Sequence, residues 1–316
     1  MPLLIYQTIG PNLVYSVLPK PEKDDELIKE ITHWIQTNYP KDSGIIYCLS
    51  KKDTEVVSSK IYAESKGKIK CAAYHADLQE EDKEYIHHRW RSHDLQVIVA
   101  TIAFGMGINH LTTRFVIHHC MSKSLEGYYQ ESGRAGRDGK RSECILYYRG
   151  NDAMRLSSFV VSDINGKDSL YEMVNYAQTH QECRKILFER YFSLDTDGVV
   201  NGITLDQTCG ICDNCTRAES SQNVVVEDII DVARAIARLS NTLITHNEKA
   251  TMSKLVQMLR GRQLGVMKSR VMNSSQMKIP IDSKYTDSDL ERIINQLIAG
   301  SYLDLDFHYT PYNTIT

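Results

Sequence analysis

The chain has 316 residues and a formal net charge of −3, from 37 lysines and arginines against 40 acids. With 42% hydrophobic and 24% charged residues, it has the composition of an ordinary globular protein, which excludes collagen-like, low-complexity and largely disordered chains. So even a balance gives no global attraction to nucleic acid, and any such partner has to be read from local clusters.

No run of eighteen apolar residues occurs, so no membrane span and no membrane partner are predicted. The opening Met1–Tyr6 lacks the basic region and the long apolar region of a secretory signal. Cys48, Cys71, Cys120 and Cys144 are scattered through apolar runs and read as buried thiols in a reducing compartment.

In chain order, residues 1–25 read as a lead-in segment. Residues 44–49, 72–74, 97–101, 115–118 and 144–148 are short apolar or β-branched runs, predicted as buried strands. Between them, residues 53–66 and 80–92 carry charged amphipathic patterns, predicted as helices. Strands alternating with helices indicate an α/β fold of βαβ units on a parallel sheet, here over residues 26–150. From 151 to 218 the strand signal disappears. Residues 170–177 and 183–191 have helical spacing, and a polar loop then leads into crowded cysteines.

After the polar hinge Glu219–Asn223, helical patterns at 226–239, 252–260 and 288–299 precede a predicted strand at 302–306 and a turn at Pro311–Asn313. Three helices and a hairpin predict a winged-helix domain over residues 219–316. The chain stops within or just after that hairpin, so the last strand is expected to be incomplete.

Cys209, Cys212 and Cys215 are separated by two residues each, and Cys183 lies 26 residues upstream on a predicted helix. Four thiolates at this spacing predict a tetrahedral zinc site; reduced, buried cysteines, or disulfides if the chain is secreted, are the plainer alternatives. A closed shell of four sulfurs leaves no open position, so the metal would be structural. Within Gln130–Gly139, Arg134 and Arg137 are each preceded by glycine and place two guanidiniums on one face of a tight turn or helix start. Permanent charge on a planar fork suits phosphate oxygens, although a lone pair of this kind is more commonly a solvated basic turn.

The string Tyr128–Gly139 resembles motif VI of superfamily 2 helicases in the form found in the RecQ family. Ile45–Ser50 resembles motif IV, Tyr74–Leu78 the motif that follows it, and Ala100–Asn109 motif V, in the family's order. The resemblance implies a RecA-like lobe over residues 26–150, a helical zinc-binding module over 151–218, and the winged helix. It further implies an ATP-dependent 3′→5′ DNA helicase of recombination and repair, with ATP and Mg²⁺ engaged only alongside a first motor lobe. Arg137 would be the arginine finger, with Arg134 the other candidate for that role, and Gln130 would couple nucleotide state to DNA. Ser50 and Thr101 would meet DNA phosphates, whereas Asn109 replaces the acid found in many relatives.

Between Glu248 and Lys278 there are seven bases and one acid. Alone, this reads as a solvated face; after a zinc module it resembles the RecQ winged helix. Lys254, Arg260, Arg262, Lys268 and Arg270 would then grip duplex phosphates. Tyr309 and Tyr312 would sit near a strand-separating hairpin tip, where ordinary hairpin packing is the competing reading. Leu255–Gly261 resembles the Bloom-type branch, and with it come a nuclear location, single-stranded and junction DNA as partners, and a type I topoisomerase complex.

The sequence holds neither a Gly-x-x-x-x-Gly-Lys-Ser/Thr phosphate loop nor an Asp-Glu-x-His box. The chain is therefore expected to lack the first lobe and to hydrolyse no ATP alone. The alternatives are a non-catalytic DNA-binding module and a half-motor acting on another helicase lobe.

Overall fold

The computed structural model describes residues 10–101, 110–194, 208–220, 227–261 and 284–307. Packing divides them into two units, Met1–Tyr148 with Thr179–Asn223 and Arg149–Gln178 with Val224–Thr316. The segment read as one helical module, 151–218, is thus shared between the two.

The first unit is built on six strands: β1 Leu13–Pro19, β2 Ser43–Cys48, β3 Cys71–Tyr74, β4 Val97–Thr101, β5 Thr113–His118 and β6 Ser142–Tyr148. Their order is β1-β6-β5-β2-β4-β3, and every neighbouring pair is parallel. Helices α1 (Asp24–Asn38), α2 (Lys51–Glu64), α3 (Glu80–Arg91) and α4 (Leu125–Ser132) make the crossovers. All residues of β2 and β5 are buried, as expected of parallel strands covered on both faces.

Leu27, Ile31 and Ile35 of α1 pack with Val57 and Ile61 of α2 against Ile46, Val97, Val99, Phe115 and Ile117. Gly44 is dictated by this packing, because a Cβ there would lie 2.0 Å from the Phe115 ring. Each helix start is prepared locally. α1 has Asp24, Asp25 and Glu26 in its first turn, where carboxylates meet the positive end of the dipole. α2 begins with a capping box in which Ser50 and Asp53 bond each other's backbone N–H.

The lead-in segment is more than a connector. Residues 13–19 form the edge strand β1, in register with Ser142–Tyr148 of β6. Two further helices complete the first unit, α7 (Arg184–Leu194) and α8 (Asp213–Glu219).

In the second unit, α5 (Gly150–Val160), α6 (Gly166–Gln178), α9 (Ile230–Thr245), α10 (Met252–Leu259) and α11 (Asp287–Ala299) pack together. The start of α5 is pinned to α11 by Asn151 N donating to Glu291 Oε2 (3.1 Å) and by buried Asn295 donating to Gly150 O (2.9 Å). The strand expected at 302–306 does not form. Tyr302 N and Leu303 N both bond back to Leu297 O (2.8 and 3.1 Å), with Ser301 at φ 60. The end of α11 has taken the first two of the donors a strand would have used.

Candidate functional site

Gln130, Arg134 and Arg137 come together. With Gly10, Asn12, Leu13, Tyr129, Gly133, Ala135 and Gly136 they line a depression of about 470 Å³. Ser124 caps α4 by accepting from Gly127 N (3.1 Å), and the helix ends at Gly133. The loop that follows carries both arginines, and its shape is fixed from outside. Gly136 N donates to Thr113 O (2.9 Å) at the start of β5. Asn12 Nδ2 donates to both Gly136 O and Lys140 O, each at 2.8 Å. Gly136 has φ +62, and a Cβ there would lie 2.3 Å from Asn12 Nδ2, so only glycine fits.

Arg114, almost wholly buried, donates to Asp138 Oδ2 (2.6 Å) and Ser142 Oγ (3.0 Å). Its hydrogen bond holds the Asp138 carboxyl below the usual range. Arg137 is exposed, its Nε 3.4 Å from Gly133 O. Arg134 is half-buried and hydrogen-bonds the Tyr47 phenol, opposing the upward push that burial gives that hydroxyl.

Ser50 and Thr101 lie elsewhere. Thr101 ends β4 opposite Cys48 of β2, and Ser50 follows β2 as the cap of α2, so both sit at the carboxyl ends of the strands. The arginine loop bonds the amino end of β5. Carboxyl ends of parallel strands are where open α/β sheets receive ligands. His75, buried, faces Glu55 at 3.5 Å, a structural pairing. The motif V glycines and Asn109 lie outside the described residues, as do Arg262, Lys268, Arg270, Tyr309 and Tyr312. Lys254 is exposed on α10. Arg260 bonds Asp287 Oδ1 (2.9 Å) and Tyr285 O, tying the end of α10 to the start of α11.

The four cysteines converge. Their sulfurs all lie within 4.8 Å of one another, with Cys212–Cys215 at 3.4 Å, Cys209–Cys215 at 3.9 Å and Cys183–Cys212 at 4.0 Å. Four sulfurs at about 2.3 Å from one zinc ion would be about 3.8 Å apart, so the set fits that metal. Two backbone amides already point at the sulfurs, Cys209 N at Cys183 (3.3 Å) and Arg184 N at Cys212 (3.4 Å). The neighbouring sulfurs of Cys183 and Cys209, together with burial, push the Cys212 thiol far up, whereas sulfur donors lower Cys183. Four thiolates this close need a cation to neutralise them.

Several residues to which the sequence assigns no role support this centre. Buried Arg184 forks onto Asp213, Nε to Oδ1 and an NH2 to Oδ2, both 2.9 Å. Asp213 Oδ2 also accepts from Val17 N of β1 (3.1 Å). Buried Asn214 donates to Thr179 O and Glu182 O. Lys185 Nζ donates to Gly10 O and Pro11 O, both at 3.1 Å. Adjacency to the cysteines is the one local signal for Arg184, Lys185 and Asp213; Asn12 and Arg114 have none.

Among the described residues no helix is long and apolar enough to cross a membrane. Family models match in two places, the helicase conserved C-terminal domain at residues 22–139 and the RecQ zinc-binding domain at 150–216. Over 306 residues the chain is 40% identical to the ATP-dependent DNA helicase Q1 of Pongo abelii, covering 97% of this chain and 44% of that protein. It is 36% identical to the ATP-dependent DNA helicase Q-like 2 of Arabidopsis thaliana (96% and 39%). To the RecQ-like DNA helicase BLM of Xenopus laevis it is 31% identical (95% and 22%). The chain spans less than half the length of each of these curated relatives. It carries a helicase C-terminal domain followed by a RecQ zinc-binding domain.

Proposed function

We propose that the chain is the second motor lobe, zinc module and DNA-gripping winged helix of an ATP-dependent 3′→5′ DNA helicase. The clustering of Gln130, Arg134 and Arg137 around one depression, on a loop anchored at both flanks, carries this reading. An exposed arginine on a fixed loop can meet γ-phosphate charge without reorganising at the moment of transfer. Arg137 takes that role and half-buried Arg134 steadies the loop through Tyr47. Ser50 and Thr101 meet DNA phosphates at the carboxyl ends of β2 and β4. The sequence contains no phosphate loop, so ATP and Mg²⁺ are held by a lobe that supplies one.

Zinc is bound by Cys183, Cys209, Cys212 and Cys215 as a structural ion. Lys254 and the basic run after it bind duplex phosphate. Work on single-stranded and junction DNA in nuclear recombination and repair, alongside a type I topoisomerase, completes the proposal. Placement in the Bloom-type branch rests on Leu255–Gly261 alone, with identity at 40% to the Q1 relative and 31% to the BLM relative.

The test joins the chain to a phosphate-loop lobe and follows ATP turnover with single-stranded DNA. Arg137→Ala should abolish turnover and leave DNA affinity unchanged. Equal turnover in wild type and variant refutes the finger. A joined protein that binds DNA without any turnover would favour the non-catalytic DNA-binding module.

A further inference from the structure

The arginine loop, the start of β1 and the four-cysteine centre are connected by the side chains of Asn12, Lys185 and Asp213. Asn12 touches the loop twice through its amide, at Gly136 O and Lys140 O. Its own carbonyl accepts from Ser142 N (3.0 Å), where the loop enters β6. Arg137 lies between the two carbonyls that Asn12 holds. The two residues before Asn12 offer their carbonyls to Lys185 Nζ, and Leu13 N closes the turn onto Gly10 O (3.0 Å). Lys185 is two residues from Cys183 and buried. Four residues further along β1, Val17 N is held by Asp213, next to Cys212.

The cysteine centre therefore grips the first strand at two points, and between them the strand presents one amide that shapes the arginine loop. Gly10, Asn12 and Leu13 also form one wall of the depression that Arg137 lines. A backbone segment clamped on both sides of Asn12 cannot rotate that amide away from the loop without breaking bonds at the cysteine module.

We infer that Asn12 and Lys185 are positioning residues that transmit the folded state of the cysteine centre to the arginine loop, so that the module sets the geometry in which Arg137 meets its phosphate. The functional half of this inference rests on the reading of Arg137 given above; the structural half does not. Asn12 acts by donating to two carbonyls, and an isosteric aspartate cannot do so. Lys185 acts as a cation spanning two carbonyls, a task arginine can share and methionine cannot.

The experiment is amide hydrogen exchange on the full chain loaded with zinc, with metal content measured on the same samples. Asn12→Asp should speed exchange over residues 136–142 by about ten- to hundredfold, the loss of two hydrogen bonds, with zinc content unchanged. Lys185→Met should speed exchange at residues 10–13 and also at 136–142, again with zinc retained, and Lys185→Arg should restore both. Unchanged exchange at 136–142 in Asn12→Asp overturns the inference. Faster exchange at 10–13 in Lys185→Met without any change at 136–142 overturns it as well, because the link would stop at the strand. Joined to a phosphate-loop lobe, Asn12→Asp should lower kcat at least tenfold with KM for ATP held. A rise in KM alone would assign Asn12 to nucleotide binding instead. Exchange is read without turnover, so a failure of Arg137 as the finger would leave the exchange results standing and is distinguishable from a failure here.

Discussion

Arg184→Met tests how the cysteine centre is held. Arg184 has no exposed surface and makes two parallel bonds to Asp213 at 2.9 Å, with a longer contact to Asn214 Oδ1 at 3.4 Å. Removing one partner of a buried pair costs about 3–5 kcal/mol, because the remaining charge stays buried. Asp213 keeps some relief, since Val17 N and Asn214 N still donate to it and Arg217 lies 3.8 Å away. The lower end, about 3 kcal/mol, is therefore expected. Folding of such a module and binding of its metal are one equilibrium, so the loss should appear as about a hundredfold weaker apparent zinc affinity. Competition against a chromophoric chelator at fixed pH measures it. Adding Asp213→Asn to Arg184→Met removes the stranded charge while keeping an acceptor for Val17 N, and should recover at least half of the loss. Zinc affinity within twofold of wild type in the single variant would refute the reasoning, as would a double variant no better than the single.

Two further outcomes follow from local geometry. Gly136→Ala and Gly139→Ala share positive φ (+62 and +78), but only the first also meets Asn12 Nδ2, whereas the second meets open space. Denaturant unfolding should show about 1–2 kcal/mol lost for Gly139→Ala and more for Gly136→Ala; equal losses would mean that the amide gives way freely. Burial, with His93 and then Arg91 and His87 adding repulsion, lowers His110 to about 4, although a hydrogen bond to the Trp90 backbone opposes this. The folded state keeps it neutral, so its contribution is complete above the ordinary 6.5 and drains as pH falls toward 4. The full shift corresponds to about 3 kcal/mol. With solvent screening the loss should reach about 2 kcal/mol and be flattened in His110→Asn, read from unfolding free energies across that window.

Five of the six strands were legible in the sequence to within two residues, because each is a short apolar or β-branched run, and four of them are buried along nearly their whole length. Leu13–Pro19 was not legible as a strand, because its apolar run reads as part of the lead-in segment 1–25. The cysteine ligands were legible because three sit within seven residues. Their supports were not, because Asn12 meets Gly136 across 124 residues and Arg184 meets Asp213 across 29. Such pairs leave no period or spacing to detect. Residues 302–306 alternate like a strand, but a single turn after α11 used the first two donors, a choice made by the helix end and invisible in alternation.

An open sheet has two borders, and each is a row of backbone groups that another chain could pair with. β3, at one border, is only four residues long, too short to template much. β1, at the other, is seven residues long, and there Asp213 occupies the outward N–H of Val17 while α8 packs alongside. A foreign strand approaching that border must first displace a carboxylate locked to buried Arg184. The cysteine module thus also covers the sheet's open side, and any change that unfolds the module would bare that border to strand-to-strand self-association.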